Sequence, residues 1–460
     1  VSRRNKRILV EQQSVLESVP GFSLPQISIP KWTRSAPHIQ RAIKQRWNLR
    51  SVVLDAVGGW SRSGRIAIAE AIDQAIVPIP DHYVWRSLGE IPDLEIEDAD
   101  DSLRIDLQDL LDGKTNRHAP FLQLGWTDEL LRWIATVIPT DRIDINDEVE
   151  QLNASPTHAL LRIRRRRAPP LWFKAVAEPT MKSEGHEYVA TTVLSNLFPE
   201  YLPRLLAIRN DWNGWLMNDA GLPIGESDPL NFETADMIGV RLAKMQQASV
   251  PQVDALLNHG FIDQRIPALR NTILSMVPYL EDAVLSQRSA VAPAIGIGRV
   301  KQIVEIFENV CYDLEEAGIP DTVAHNDLNG GNILIDGRSC VFTDWALAAV
   351  GNPFVALDQL QQYLTQNKRL ASWVPRITRS YCEQWRSTMA AAEIDIGLRS
   401  IRLVSVATHL ASRRPWFMSQ YRYKPGLDSY IRSLLRQMDK AAQSLQRKDA
   451  LEAMCGTLSA

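Results

Sequence analysis

The sequence predicts an α+β protein in which a small mixed leading domain precedes a small antiparallel sheet and then a mostly helical remainder. Three observations carry that expectation. The runs EVEQLNASPTHALLRIRRRR and PPLWFKAVAE read as strands joined by tight polar turns, the pattern of an antiparallel meander. From about Thr234 onward, ADMIGVRLAKMQQ, ALRNTILSMVPYLEDAVL, VKQIVEIFENVCYDLEEAG and LDSYIRSLLRQMDKAAQSL keep their apolar residues at helical spacing. The length of 460 residues exceeds what one ordinary core supports, since domains usually split beyond ~100–200 residues.

In chain order, residues 1–45 carry FSLPQISIPKW, where Pro25 and Pro30 interrupt regular structure, and read as an irregular arm. Residues 46–124 hold short β-like runs, SVVLDAV and HYVWRSL, set apart by Gly58-Gly59, Pro78 and Pro80, then the acidic stretch EIEDADD; a small mixed domain is expected. Within 125–220, GWTDELLRWIATVI spaces Leu130, Leu131, Ile134 and Ile138 as a helix leading into the meander. Residues 221–460 form the helical part, interrupted by two β-like runs, GGNILID and SCVFTDW, that the turn Asp336-Gly337-Arg338 splits.

Composition excludes several classes. Charged residues make up 23% with a net charge of −3, so no global field points to nucleic acid or a membrane surface. Cys311, Cys340, Cys382 and Cys455 show no CxxC spacing, which argues against a zinc knuckle or a disulfide framework and suits a reducing cytoplasm. No run approaches ~20 apolar residues, and VSRRNKRILVEQQS lacks the apolar core of a signal peptide; a cytoplasmic protein is expected.

Chemistry concentrates in VAHNDLNGGNILIDGRSCVFTDWALAAVGNP. Asp327, on a loop before a strand, is suited to accept a hydroxyl proton and orient an attacking oxygen. Asn332 and Asp344 offer the hard oxygens that magnesium prefers. The chain must leave Asp327, turn through Gly330-Gly331, present Asn332, run down a hairpin and return with Asp344 beside it, and NILIDGRSCVFTD has the length to do that. One Asp or Asn in a glycine-rich loop would be an ordinary turn residue, but the ordered set with a hairpin between its members is not.

This His-x-Asp-x4-Asn loop followed by Asp-Trp resembles the aminoglycoside phosphotransferase and choline kinase superfamily, over about residues 145 to 435. The resemblance implies a bilobal protein-kinase-like fold and an ATP- (or GTP-) and magnesium-dependent phosphotransferase. Its acceptor would be the hydroxyl of a small molecule: an aminoglycoside, a sugar or an amino alcohol. Asp327 would be catalytic, with Asn332 and Asp344 as the metal ligands. Lys174, on the strand PPLWFKAVAE, would meet the nucleotide phosphates, with Glu187 of GHEYVATTVLSNLFP as its carboxylate partner. The segment RNDWNGWLMNDAG resembles the family's hinge, where backbone at Met217 and Asn218 would bind adenine.

The chain also departs from the pattern. No glycine lies between Asp147 and Arg167, so a backbone phosphate nest is not expected there; Ser155, in Asn153-Ala154-Ser155-Pro156-Thr157, is the candidate phosphate-binding hydroxyl, or else a plain turn residue. Asn326 and Asn329 stand where the family often has Gly and His. Arg164 to Arg167 read as a solvated turn. Gly351-Asn352-Pro353 follows Asp344 too closely to leave room for a peptide-binding segment, so the acceptor should be small, held around 250–290 and 355–430, with Asp263, Glu281 and Asp358 as charges that a cationic acceptor could meet. Two other readings remain open: a catalytically weak kinase-like module that binds nucleotide or a partner, and a metabolite kinase with a housekeeping acceptor.

Overall fold

The computed structural model describes residues 1, 7–12, 22–30, 33–57, 66–72, 80, 82–91, 102–114, 119–138, 149–165, 168–178, 186–225, 230–288, 292–417 and 426–457. The acidic stretch EIEDADD, Gly58-Gly59, Pro78 and Arg166-Arg167 lie outside them. The chain divides into two compact units, Val1–Glu178 with Leu205–Asp219, and Pro179–Arg204 with Ala220–Ala460.

The first unit opens with β1 (Ile8–Gln12), β2 (Phe22–Ser23), α1 (Ser35–Trp47), β3 (Ser51–Val57), β4 (Ile66–Ala71) and β5 (Tyr83–Arg86), followed by α2 (Ser102–Asp112) and α3 (Trp126–Val137). β1 pairs antiparallel with both β2 and β5, and β3 with β4. Regular structure within residues 1–45 departs from the expected arm. The reason is a stripe at four-residue spacing, Ile39, Ile43 and Trp47, that clamps α1 onto Val53, Leu49 and Tyr83. Pro37 falls in the first turn of α1, where a missing N–H breaks no helical bond.

The meander is present as expected: β6 (Val149–Ala154), β7 (His158–Ile163) and β8 (Leu171–Val176), joined by β9 (Leu205–Arg209) and β10 (Gly214–Asn218) in the antiparallel order β6-β7-β8-β10-β9. Strict alternation along β7 buries Ala159, Leu161 and Ile163 on one face. They join a single cluster with Val10, Val52, Ile68, Leu110, Phe121 and Ile134, so the elements before residue 125 and the five-stranded sheet share one core. At the sheet edge, Gln151 acts as a strand substitute: its side chain accepts from Val53 N (2.7 Å) and donates to Val53 O (2.8 Å).

The second unit contains α4 (Glu187–Leu197), β11 (Leu222–Pro223), α5 (Phe232–Ser249), α6 (Val253–Asn258), β12 (Ile262–Gln264), α7 (Ile266–Leu285) and α8 (Ile297–Glu316). After these come β13 (Thr322–Ala324), β14 (Ile333–Asp336), β15 (Ser339–Phe342), β16 (Ala349–Gly351), α9 (Phe354–Gln366), α10 (Val374–Trp385), α11 (Ala391–Ala411), α12 (Arg414–Phe417) and α13 (Leu427–Thr457). Two three-stranded sheets, β12-β16-β13 and β11-β14-β15, lie among these helices over a core that includes Leu242, Ile273, Phe307, Phe354, Trp385 and Leu435. No helix among the described residues is long and apolar enough to cross a membrane.

Candidate active site

β13 delivers the chain to the loop of interest. Its Val323 N–H, which would otherwise be an orphan, donates to Ser249 Oγ at the end of α5 (2.8 Å). His325 follows, buried, and works with both nitrogens: Nε2 lies 2.8 Å from Thr343 O, and Asp327 N donates to Nδ1 (3.3 Å). A carbonyl only accepts and an amide only donates, so the imidazole is the neutral Nε2–H tautomer. Burial lowers the His325 pKa, which suits that assignment. Its ring lies 4.4 Å from that of Trp345, whose Nε1 donates to Phe342 O (3.2 Å).

Asn326 and Asp344 both sit in the left-handed region, at φ +59° and +67°. Asn and Asp tolerate it better than other side chains that carry a Cβ, and these two kinks aim the chain into and out of the site. Between them, Asn329 closes the loop: its Oδ1 accepts from Gly331 N (2.8 Å) and its Nδ2 donates to Asp327 O (3.2 Å). Asn332 Nδ2 also donates to Asp327 O (2.8 Å), which leaves Oδ1 as the atom Asn332 can offer a cation. β14 and β15 then pair in register, Ile333 opposite Phe342, around Gly337 at φ +55°. Thr343 N donates to Asn332 O (3.0 Å), bringing Asp344 in just beyond Asn332.

Two residues of α9 brace this loop. Gln359 Oε1 accepts from Leu328 N (3.2 Å), and Tyr363 presses so closely on Gly330 that a Cβ there would lie 2.4 Å from its ring. Asp327 itself is exposed. Its pKa is raised from the ordinary carboxylate value, first by desolvation from the dense loop beneath it, and the neighbouring Asp344 adds to the shift. An exposed carboxylate on a rigid loop, beside a second carboxylate and an amide oxygen, can position a hydroxyl next to a cation.

The donor set fits magnesium in a particular way. Among the described residues no cluster of three His, Cys, Asp or Glu side chains exists to hold a metal alone. Asn332 Oδ1 and the Asp344 carboxylate would be the one or two protein oxygens typical of a magnesium ion that is completed by water and substrate phosphates.

The other predicted residues fall as follows. Lys174 is buried in the middle of β8, opposite Leu160 and Trp215; Met217 and Asn218 end β10, opposite Trp172 and Leu171. Trp172 Nε1 donates to Asp219 Oδ1 (2.6 Å), fixing the chain just past Asn218. Glu187 is buried in the first turn of α4, at the end of the helix dipole that favours a carboxylate. Ser155 Oγ is engaged within its own turn, accepting from His158 N (3.1 Å) and Thr157 N (3.3 Å) and lying 3.1 Å from Thr157 Oγ1. Thus Asp327, Asn332 and Asp344 come together in the second unit, which also carries Glu187, while Lys174, Met217 and Asn218 belong to the sheet of the first and Ser155 to its β6–β7 turn.

The three carboxylates considered for a cationic acceptor already have partners. Asp263 is paired with Arg265 (2.8 Å), Glu281 with Lys301 (3.9 Å), and the buried Asp358 with Arg402 (3.0 Å). Sequence reasoning gave no role to His325, Gln359 or Tyr363. The last two show a weak signal, side chains with polar ends four apart, which puts them on one side of α9.

The sequence matches no protein-family model and no curated protein. Solved structures do resemble it. An ethanolamine kinase of Plasmodium vivax is 14% identical, with 75% of this chain and 95% of that one covered at a TM-score of 0.46. A choline kinase of Cryptosporidium parvum is 13% identical, with 71% and 97% covered at 0.44. A macrolide 2'-phosphotransferase of Brachybacterium faecium is 14% identical, with 62% and 97% covered at 0.42.

Proposed function

We propose that this chain is an ATP- and magnesium-dependent phosphotransferase that moves a γ-phosphoryl group to the hydroxyl of a small molecule. The observation that carries the reading is the His325-locked loop, which presents Asp327 beside Asn332 and Asp344 on a hairpin braced from α9. Asp327 orients the acceptor hydroxyl in line and takes up its proton as the oxygen attacks phosphorus. Asn332 and Asp344 hold magnesium, which, when bound, offsets the phosphate charge that builds during transfer. Lys174 pairs with nucleotide phosphate, and backbone at Met217 and Asn218 receives adenine. Ser155 contributes through the shape of its turn, its hydroxyl being engaged there.

Asp263, Glu281 and Asp358 are not needed as acceptor contacts, so the acceptor is read from no surface charge; amino alcohols, sugars, nucleosides and aminoglycosides are the panel to screen. One observation favours a second reading, a catalytically weak nucleotide-binding or partner-binding module: the glycine-free β6–β7 turn has its Ser155 hydroxyl already committed. A thermal shift with ATP, GTP and magnesium, followed by a mass screen of that panel for one added phosphate, separates the two. Asp327→Ala abolishes turnover and spares ATP binding on the first reading. Retained turnover in that variant overturns it.

A further inference from the structure

Asn326 stands between the histidine that locks the loop and the carboxylate proposed to orient the acceptor. At φ +59° glycine would be the least costly residue, yet the position holds a buried amide. Its Nδ2 donates to Gln264 Oε1 (2.6 Å) and to Leu347 O (3.1 Å). The Leu347 carbonyl only accepts, so the amide cannot be turned the other way. Its Oδ1, shut off from solvent, has no hydrogen-bond partner. An amide kept with its acceptor unsatisfied is unfavourable by itself, so what offsets it lies in the two donor bonds. Those bonds reach beyond the loop. Gln264 is the last residue of β12, itself buried, immediately ahead of α7, and its Nε2 approaches Thr408 O of α11 (3.5 Å). Leu347 lies in the turn that follows Asp344 and Trp345.

We propose that Asn326 is a positioning residue: through Gln264 and the Leu347 carbonyl it fixes the peptide that aims Asp327 and ties both arms of the loop to the strand from which α7 departs. The inference rests on Asp327 being the orienting carboxylate. A glycine at the same φ would keep the backbone conformation but leave the peptide before Asp327 free to rock, and displacement on the order of 1 Å in such a group costs up to about 100-fold in rate.

The test uses the full chain with Mg-ATP and water as the acceptor, so no identified substrate is required. Asn326→Gly keeps the backbone conformation and removes both bonds; Gln264→Met removes the acceptor at similar volume. The expected result is a fall in kcat of about ten-fold or more for each, with KM for Mg-ATP close to wild type and both variants still folded at the assay temperature, since the buried groups left without partners lower the unfolding midpoint only in part. The double variant should fall no further than Asn326→Gly alone, because that substitution already removes the bond to Gln264. Unchanged kcat in Asn326→Gly, or a loss matched by unfolding at the assay temperature or by a raised KM, overturns the positioning role and leaves the phosphotransferase reading standing. Hydrolysis retained in Asp327→Ala, or neither hydrolysis nor a phosphorylated product from the acceptor panel in the wild type, overturns that reading and this inference with it.

Discussion

Asp321, at the head of β13, is a carboxylate that the fold holds at a cost. Burial pushes its pKa up to about 6 from 3.8; Arg265 opposes the shift and Asp263 adds to it. A folded-state pKa above the unfolded one means that the folded chain binds the extra proton, so the group's contribution to stability is full below pH ~4 and is lost as pH rises through ~6. Asp321→Asn is therefore expected to be more stable than wild type by about 1–3 kcal/mol at pH 7.5 and equal to it near pH 4, read by urea unfolding at both. A like argument chooses the variant for Asp344. Because its φ is +67°, alanine would add backbone strain to the loss of charge, whereas asparagine tolerates the conformation. Asp344→Asn should weaken magnesium-dependent nucleotide binding about ten-fold or more while leaving any magnesium-free binding unchanged, as titration calorimetry with and without chelator would record. At this scale the order and spacing of His325, Asp327, Asn332 and Asp344 were readable, since they follow from loop length and side-chain chemistry. The partners of Asp358 and Asp263 were not, because a carboxylate's neighbours depend on which helix faces it.

Elements show where period helps and where it does not. The meander, the β14–β15 hairpin and the long helices α5, α7, α8 and α13 were legible because two-residue and 3.6-residue periods persist across them. α1 carried the same signal in Ile39, Ile43 and Trp47, but the prolines just upstream dominated the reading; they interrupt the chain between β2 and α1 without touching the helix. What no period reveals is how near two helices come. Gly239 lets α5 approach α10 so closely that a Cβ would lie 2.2 Å from Ser380 Oγ and 2.5 Å from Ile377 O. Gly239→Ala should cost about 1–3 kcal/mol despite its gain in helix propensity, by thermal or urea unfolding. Adding Ser380→Ala should recover only part of that, because the Ile377 carbonyl belongs to the backbone and cannot move aside.

For the molecule as a whole, the question is what the first 124 residues do for the sheet that follows. The sequence suggested a separate small domain over 46–124, because composition shifts and glycine–proline clusters are the visible marks of a boundary. A hydrophobic core leaves no such mark. Val10, Val52, Ile68, Leu110 and Phe121 lie in one cluster with Leu161, Ile163, Phe173 and Leu216 of the five-stranded sheet. Polar stitching adds to this: Gln40 Nε2 donates to Ser51 O (2.6 Å), Gln40 Oε1 accepts from Gln151 N (2.8 Å), and Gln151 holds both backbone groups of Val53. A chain starting at residue 125 would expose the apolar face of this sheet and leave the Gln151 amide and the β6 edge without partners, and burying apolar area is the main force that holds such a sheet together. The 125–460 fragment should therefore be recovered mostly as aggregate, and any soluble fraction should bind Mg-ATP more weakly than the full chain, because Lys174, Met217 and Asn218 all lie on that sheet. Sedimentation and nucleotide titration of the fragment beside the intact protein measure both. A monomeric fragment with full affinity would instead make the leading residues a dispensable attachment whose core contact contributes little to folding.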